Sequence, residues 1–99
     1  MAKAVPTQQV DDERVRITRW DFAPGAATGW HSHGWPYFIV MLTDAVMKIE
    51  AKDGQVSEVR LSAGQSYQRP SGVEHDVMNG AQVPMAFVEI EIKNPAALA

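Results

Sequence analysis

The sequence predicts an all-β domain, a sandwich or barrel of short strands. Three observations carry this. Apolar and polar residues alternate over short runs; glycine- and proline-bearing clusters separate those runs; and no window of helical length keeps a 3.6-residue apolar period. Many short strands at regular spacing, with turns between them, are the pattern of closed antiparallel architectures.

Taken in order, residues 1–12 are polar with one proline and read as an N-terminal arm or edge segment. "VRITRWDF" (15–22) is β-branched and aromatic and stops at the turn cluster "APGAATG". "YFIVML" (37–42) is an unbroken apolar run, which predicts a strand covered on both faces, with Phe38 in the core. "AVMKIE" (45–50) alternates, with Ala45, Met47 and Ile49 on one face. Asp53-Gly54 predicts a hairpin turn into "VSEVRL" (56–61), where Val59 and Leu61 share a face. Strands follow at 65–69, 74–79 and 85–93. In the last, Ala86, Val88, Ile90 and Ile92 share one face; Phe87, Glu89 and Glu91 share the other. Met41, Met47 and Met85 read as core.

Composition narrows the function classes. Ninety-nine residues with 45% hydrophobic content make one domain, 1–99, with a modest core. A net charge of −3 leaves no basic footprint for nucleic acid. No apolar run reaches membrane-spanning length, and the first residues hold no signal-peptide core, so a cytoplasmic protein is expected. The absence of cysteine excludes disulfides, thiolate nucleophiles and zinc–thiolate sites.

Two of the three histidines stand one residue apart, in "GWHSHGWPYF" (29–38). In a strand, His31 and His33 share a face at about 7 Å between α-carbons. A helix would place them on diverging faces, since helical metal pairs need i, i+3 or i+4 spacing. His75 lies in a different strand. If the two strands are neighbours, three imidazoles converge, a donor set that suits Fe, Zn, Cu, Ni or Mn. Trp30 and Trp35 bracket the pair and are candidate walls of an apolar pocket, or else core or interface aromatics. Arg69 is a candidate partner for a substrate carboxylate, and Gln68 a candidate polar pocket group. Glu74 and Asp76 flank His75 and should point away from it.

Two stretches resemble the conserved motifs of the cupins. In 25–44, Gly25 is followed by five residues and then His31-Ser32-His33. In 64–79, Gly64, Pro70, Gly72, His75 and Asn79 all stand at the spacing of the second cupin motif. The resemblance implies a double-stranded β-helix, or jelly-roll, barrel with metal ligands His31, His33 and His75. One departure stands out. The first motif expects a glutamate three or four residues after its second histidine, where this chain has Tyr37 and Phe38. A three-histidine site without that carboxylate keeps a charge near that of the ion and favours an anionic co-ligand or bidentate substrate. Tyr37 is the candidate catalytic residue, as a ligand or as a hydroxyl facing bound substrate.

The resemblance leaves three readings of function. The first is an Fe(II)-dependent, dioxygenase-like oxidoreductase acting on a small organic molecule. The second is a non-catalytic metal- or small-molecule-binding module, such as a sensor. The third is a Zn- or Mn-dependent lyase or isomerase. Fe(II) is the favoured ion, with Zn, Ni, Mn and Cu as alternatives. Cupins also commonly pair through their sheets, so a homodimer to which residues 1–22 contribute is expected.

Overall fold

The computed structural model describes residues 2–94, and among these nine strands and no helix occur. They are β1 (Val5–Asp11), β2 (Val15–Phe22), β3 (His31–Ser32), β4 (Tyr37–Met41), β5 (Ala45–Ala51), β6 (Val56–Leu61), β7 (Ser66–Arg69), β8 (Glu74–Asn79) and β9 (Met85–Ile92). Two antiparallel sheets face each other, one ordered β1-β2-β9-β4-β7 and the other β3-β8-β5-β6. The order is a double-stranded β-helix, as the sequence implied.

Local chemistry sets the strand ends. Asp53 Oδ1 accepts from Gln55 N at 3.0 Å, and Gly54 sits at φ +85°, so Asp-Gly turns β5 into β6. Pro70 follows the last residue of β7 and offers no ladder donor. Gly72, at φ +89°, then reverses the chain, and its N–H donates to the His33 carbonyl at 2.8 Å. The N-terminal segment is the edge strand β1, paired with β2 across a bulge between Gln8 and Val10.

One end of the barrel is closed by apolar packing. Phe22, Met41, Met47 and Met85 are fully buried, and the Phe22 and Phe87 rings meet at 5.4 Å between centroids. Each such side chain contributes about 1.5–3 kcal/mol of burial. Buried Asn79 ties this end together. Its Nδ2 faces the carbonyls of Phe22, Ala23 and Val83 at 3.3, 3.3 and 2.8 Å, and its Oδ1 accepts from Ala81 N at 2.9 Å.

Two sequence expectations are corrected here. The apolar run at 37–42 is covered on one face only. Phe38, expected in the core, is 41% exposed, and Leu42 equally so. The register explains this. Phe38 pairs with Ile90, Ile90 with Ile17, and Val40 with Val88, so these side chains share the outer face of the larger sheet. Tyr37, Ile39 and Met41 take the inner face and are buried.

Candidate metal centre and adjoining cavity

The three histidines come together through the smaller sheet. His31 on β3 pairs directly with His75 on β8, and paired residues share a face. β3 lasts only two residues, so His33 lies just beyond it rather than within a strand. Its backbone is nevertheless pinned: its N–H donates to the Val73 carbonyl at 2.9 Å, and its carbonyl accepts from Gly72. The Gly72 turn thus holds the second histidine of the pair beside the third.

The donor atoms converge. His31 Nε2 lies 3.0 Å from His33 Nε2, which lies 3.2 Å from His75 Nε2, and the rings meet edge-on at 68–88°. A metal about 2.1 Å from each nitrogen sets cis ligands about 3.0 Å apart at right angles and about 3.4 Å apart in a tetrahedron. The observed 3.0 and 3.2 Å separations are short enough for one ion to be held by all three imidazoles. His31 Nδ1 faces the Gly29 carbonyl at 2.9 Å. A carbonyl only accepts, so the proton sits on Nδ1 and the Nε2 lone pair faces the cluster. His33 and His75 are buried, and this burial pulls both pKa values down to about 4, with neighbouring imidazoles adding to it. At neutral pH both rings are uncharged, so their crowding is not relieved by protonation. The donor set fits a divalent metal ion.

The larger sheet supplies the opposite wall. Tyr37 on β4 stacks on His33, with centroids 3.9 Å apart and planes at 21°. Its buried hydroxyl meets no hydrogen-bond partner, and burial raises its pKa well above the ordinary tyrosine value. Beside it, β9 turns Glu89 and Glu91 inward, both buried. Glu89 Oε2 stands 4.0 Å from His33 Nε2, and the two carboxylates and His33 offer atoms within 4.8 Å of one another. Burial, then Glu91, lifts Glu89 to about 7, opposed by Trp20 and Arg16. The Trp20 indole N–H is buried and meets no hydrogen-bond acceptor.

A cavity of about 250 Å³ opens next to His75. Met47, Ile49, Val59 and Leu61 form its apolar wall, and Tyr37, Gln65, Tyr67 and Arg69 its polar side. A narrower space lies between His31, His75, Trp20, Tyr37 and Glu89.

The sequence-predicted residues divide accordingly. His31, His33, His75 and Tyr37 meet, and Arg69 lines the cavity. Trp30 and Trp35, expected as candidate pocket walls, line neither space. Trp30 is 51% exposed, while Trp35 lies under the Arg16 guanidinium, 5.1 Å from its ring centroid, and near Lys93. Gln68 pairs with Phe38 on the outer face and is exposed, so it is not a pocket group. Asp76 turns away from the cluster to accept from Gly29 N at 3.1 Å, and Glu74 pairs with Lys52. Sequence reasoning missed Trp20, Glu89 and Glu91. The available clue was the pair of same-face glutamates on an otherwise apolar last strand.

A double-stranded β-helix with three imidazoles converging at its open end is the architecture of a metal-binding cupin. The chain belongs to the Cupin_2 family of cupin domains, whose model matches residues 18–91. It is 50% identical over 91 residues to "Beta-alanine degradation protein BauB" of Pseudomonas aeruginosa, covering 92% of this chain and 95% of that protein. Among solved structures, a cupin domain from Bordetella pertussis Tohama I matches with TM-score 0.89 and 45% identity, covering 94% of this chain and 96% of that one. An RmlC-like cupin from Methanocaldococcus jannaschii shares the fold, with TM-score 0.78 and 17% identity over 99% of this chain and 87% of that one. No helix among the described residues is long and apolar enough to cross a membrane.

Proposed function

We propose that this cupin is a metal-dependent oxidoreductase of dioxygenase type acting on a small organic substrate, with Fe(II) held by His31, His33 and His75. The observation that carries the reading is the 3.0 and 3.2 Å spacing of three converging imidazole nitrogens beside a substrate-sized cavity. Zn, Ni, Mn and Cu are the alternative ions for this donor set. The bound ion would supply Lewis acidity and, for iron, redox chemistry with O₂. The chain's own residues do the rest. The stacked Tyr37 ring fixes His33, and its unpartnered hydroxyl is free to donate to a bound substrate atom. Glu89, 4.0 Å from His33, is the carboxylate that would offset the cation's charge in place of the motif glutamate, since a bound cation favours its anion. The apolar wall keeps the site dry. BauB carries β-alanine degradation in its name, and its 50% identity to this chain supports a role in the breakdown of a small metabolite.

We also propose a homodimer formed through the outer face of the larger sheet. Ile17, Phe38, Val40, Val88 and Ile90 are contiguous there, next to the unpaired edge of β1. Light scattering at micromolar protein should give twice the 10.9 kDa chain mass; a monomer would refute this assembly.

Elemental analysis of metal-loaded protein, followed by oxygen-uptake assays over a panel of small organic acids and thiols, tests the main reading. Iron with O₂ consumption supports it. Zinc or manganese with turnover that consumes no O₂ replaces it with a lyase or isomerase. Metal without turnover across the panel replaces it with a binding module.

A further inference from the structure

The cavity beside His75 has a chemical asymmetry that metal binding does not explain. One wall is hydrocarbon, from Met47, Ile49, Val59 and Leu61. Among the described residues, Arg69 is the only charged side chain lining it, and no carboxylate lines it. Arg14, Arg16, Arg19 and Arg60 each lie within ion-pair distance of an aspartate or glutamate. Among the described residues Arg69 has no such partner. It is held in place by β7, where it pairs across the sheet with Tyr37. Of the nearby buried acids, Glu89 lines the narrower neighbouring space and Glu91 lines neither, so no carboxylate faces this cavity.

We infer that this cavity binds a short-chain carboxylic acid, with its carboxylate on Arg69, its hydrocarbon stem against the Met47–Leu61 wall and its far end at the histidines. Planar carboxylates match the guanidinium fork bidentately, and an exposed arginine at a cavity mouth loses little hydration in taking one. The space is smaller than an ordinary drug-sized pocket, which restricts the stem to a few carbons. The inference rests on the proposed metal site only for what the far end of the acid meets.

Calorimetric titration with butyrate, butyramide and inorganic phosphate, on metal-free and metal-loaded protein, tests it. Butyrate should bind both forms. Butyramide, the same shape without the charge, should bind weaker by about tenfold or more. Phosphate should not compete, since it has no stem. Arg69→Gln should weaken butyrate by about tenfold or more, with Arg69→Lys intermediate, while the melting temperature and metal content stay as in the wild type. Equal butyrate binding by wild type and Arg69→Gln overturns the inference, as does absence of butyrate binding. Butyrate binding that needs the metal and ignores Arg69 also overturns it, by placing the carboxylate on the ion. Competition by phosphate reduces the site to a general anion patch. If the protein takes up no metal, the metal-site reading falls while the metal-free titration still decides this one.

Discussion

The inner face of β9 changes character halfway along. Met85 and Phe87 are packed into the closed end with Phe22 and Met41, whereas Glu89 and Glu91, two and four residues further on, are equally buried beside three histidines. One strand with one alternation therefore builds both a core and a site. The closed end has complementary apolar partners and no unmet polar atom on those side chains. The open end holds buried carboxylates, neutral imidazoles and an unpartnered tyrosine hydroxyl, all of which disfavour folding without a ligand. The difference teaches that the apolar end carries the stability which the polar end draws on.

Breaking the closed end should give the largest effect. Met41→Ala removes a side chain that is 1% exposed. It should destabilise the protein by about 2–5 kcal/mol in urea unfolding, a large share of the stability of a domain this size. Metal affinity of the folded fraction should be unchanged. His75→Ala reverses the pattern. It should lower metal affinity by more than about 100-fold in a chelator competition, since even supporting partners of metal ligands are worth about 10–100-fold. The stability of the metal-free protein should be kept or improved. If both variants lose both properties together, the two ends are one cooperative unit and the division fails.

Acid sharpens the same contrast. His33 and His75 have pKa values near 4 in the fold against an ordinary 6.5. Unfolding lets them take up protons, so their contribution is full above about 6.5 and is lost as pH falls through 4. Glu89, raised from 4.5 to about 7, acts in the other direction: its contribution is full below 4.5 and lost as pH rises through 7. Two histidines outweigh one glutamate. Metal-free protein should therefore lose on the order of a few kcal/mol between pH 6.5 and 4 in denaturant titrations. A flat profile over that window would show that the rings are not buried as neutral groups. Glu89→Gln separates the opposing contribution. Metal-free, it should match the wild type near pH 4.5 and exceed it above pH 7 by on the order of 1–3 kcal/mol. Its metal affinity should drop, because the cation loses a nearby anion. Equal affinity would mean that Glu89 serves only the apoprotein.

How much of this was legible in the sequence follows the same boundary. Backbone demands are local, so Gly64, Pro70, Gly72, His75 and Asn79 could be recognised together by their resemblance to the second cupin motif, and every strand from β4 to β9 was foreseen within a residue or so. The three histidines were legible for the same reason. The facing of β9 was not. Alternation separates Phe87, Glu89 and Glu91 from Val88 and Ile90, but which set turns inward depends on β2 and β4, distant in sequence. The usual preference for apolar residues inside points the wrong way here, since the glutamates are buried and the aliphatic side chains share a partly exposed face. The tryptophans misled by proximity. Trp30 and Trp35 flank the histidines in the chain, yet Trp20, on β2, lies across the barrel from His31 and lines the site.

The smallest expected effect tests the site's most ambiguous residue. The Tyr37 hydroxyl is buried without a partner, so in the ligand-free protein it is an unmet polar group rather than a stabilising one. Tyr37→Phe keeps the ring that stacks on His33 and removes only that oxygen. Metal-free stability should hold or rise by about 1 kcal/mol, and metal affinity should change by less than about twofold if the oxygen is not a ligand. Substrate turnover, or binding of whatever occupies the cavity, should fall, because the hydroxyl then lacks its only use. A loss of metal would instead make Tyr37 the fourth ligand, in the place where the cupin motif has glutamate. A loss of neither would leave the orphaned hydroxyl as a cost of carrying the ring that holds His33.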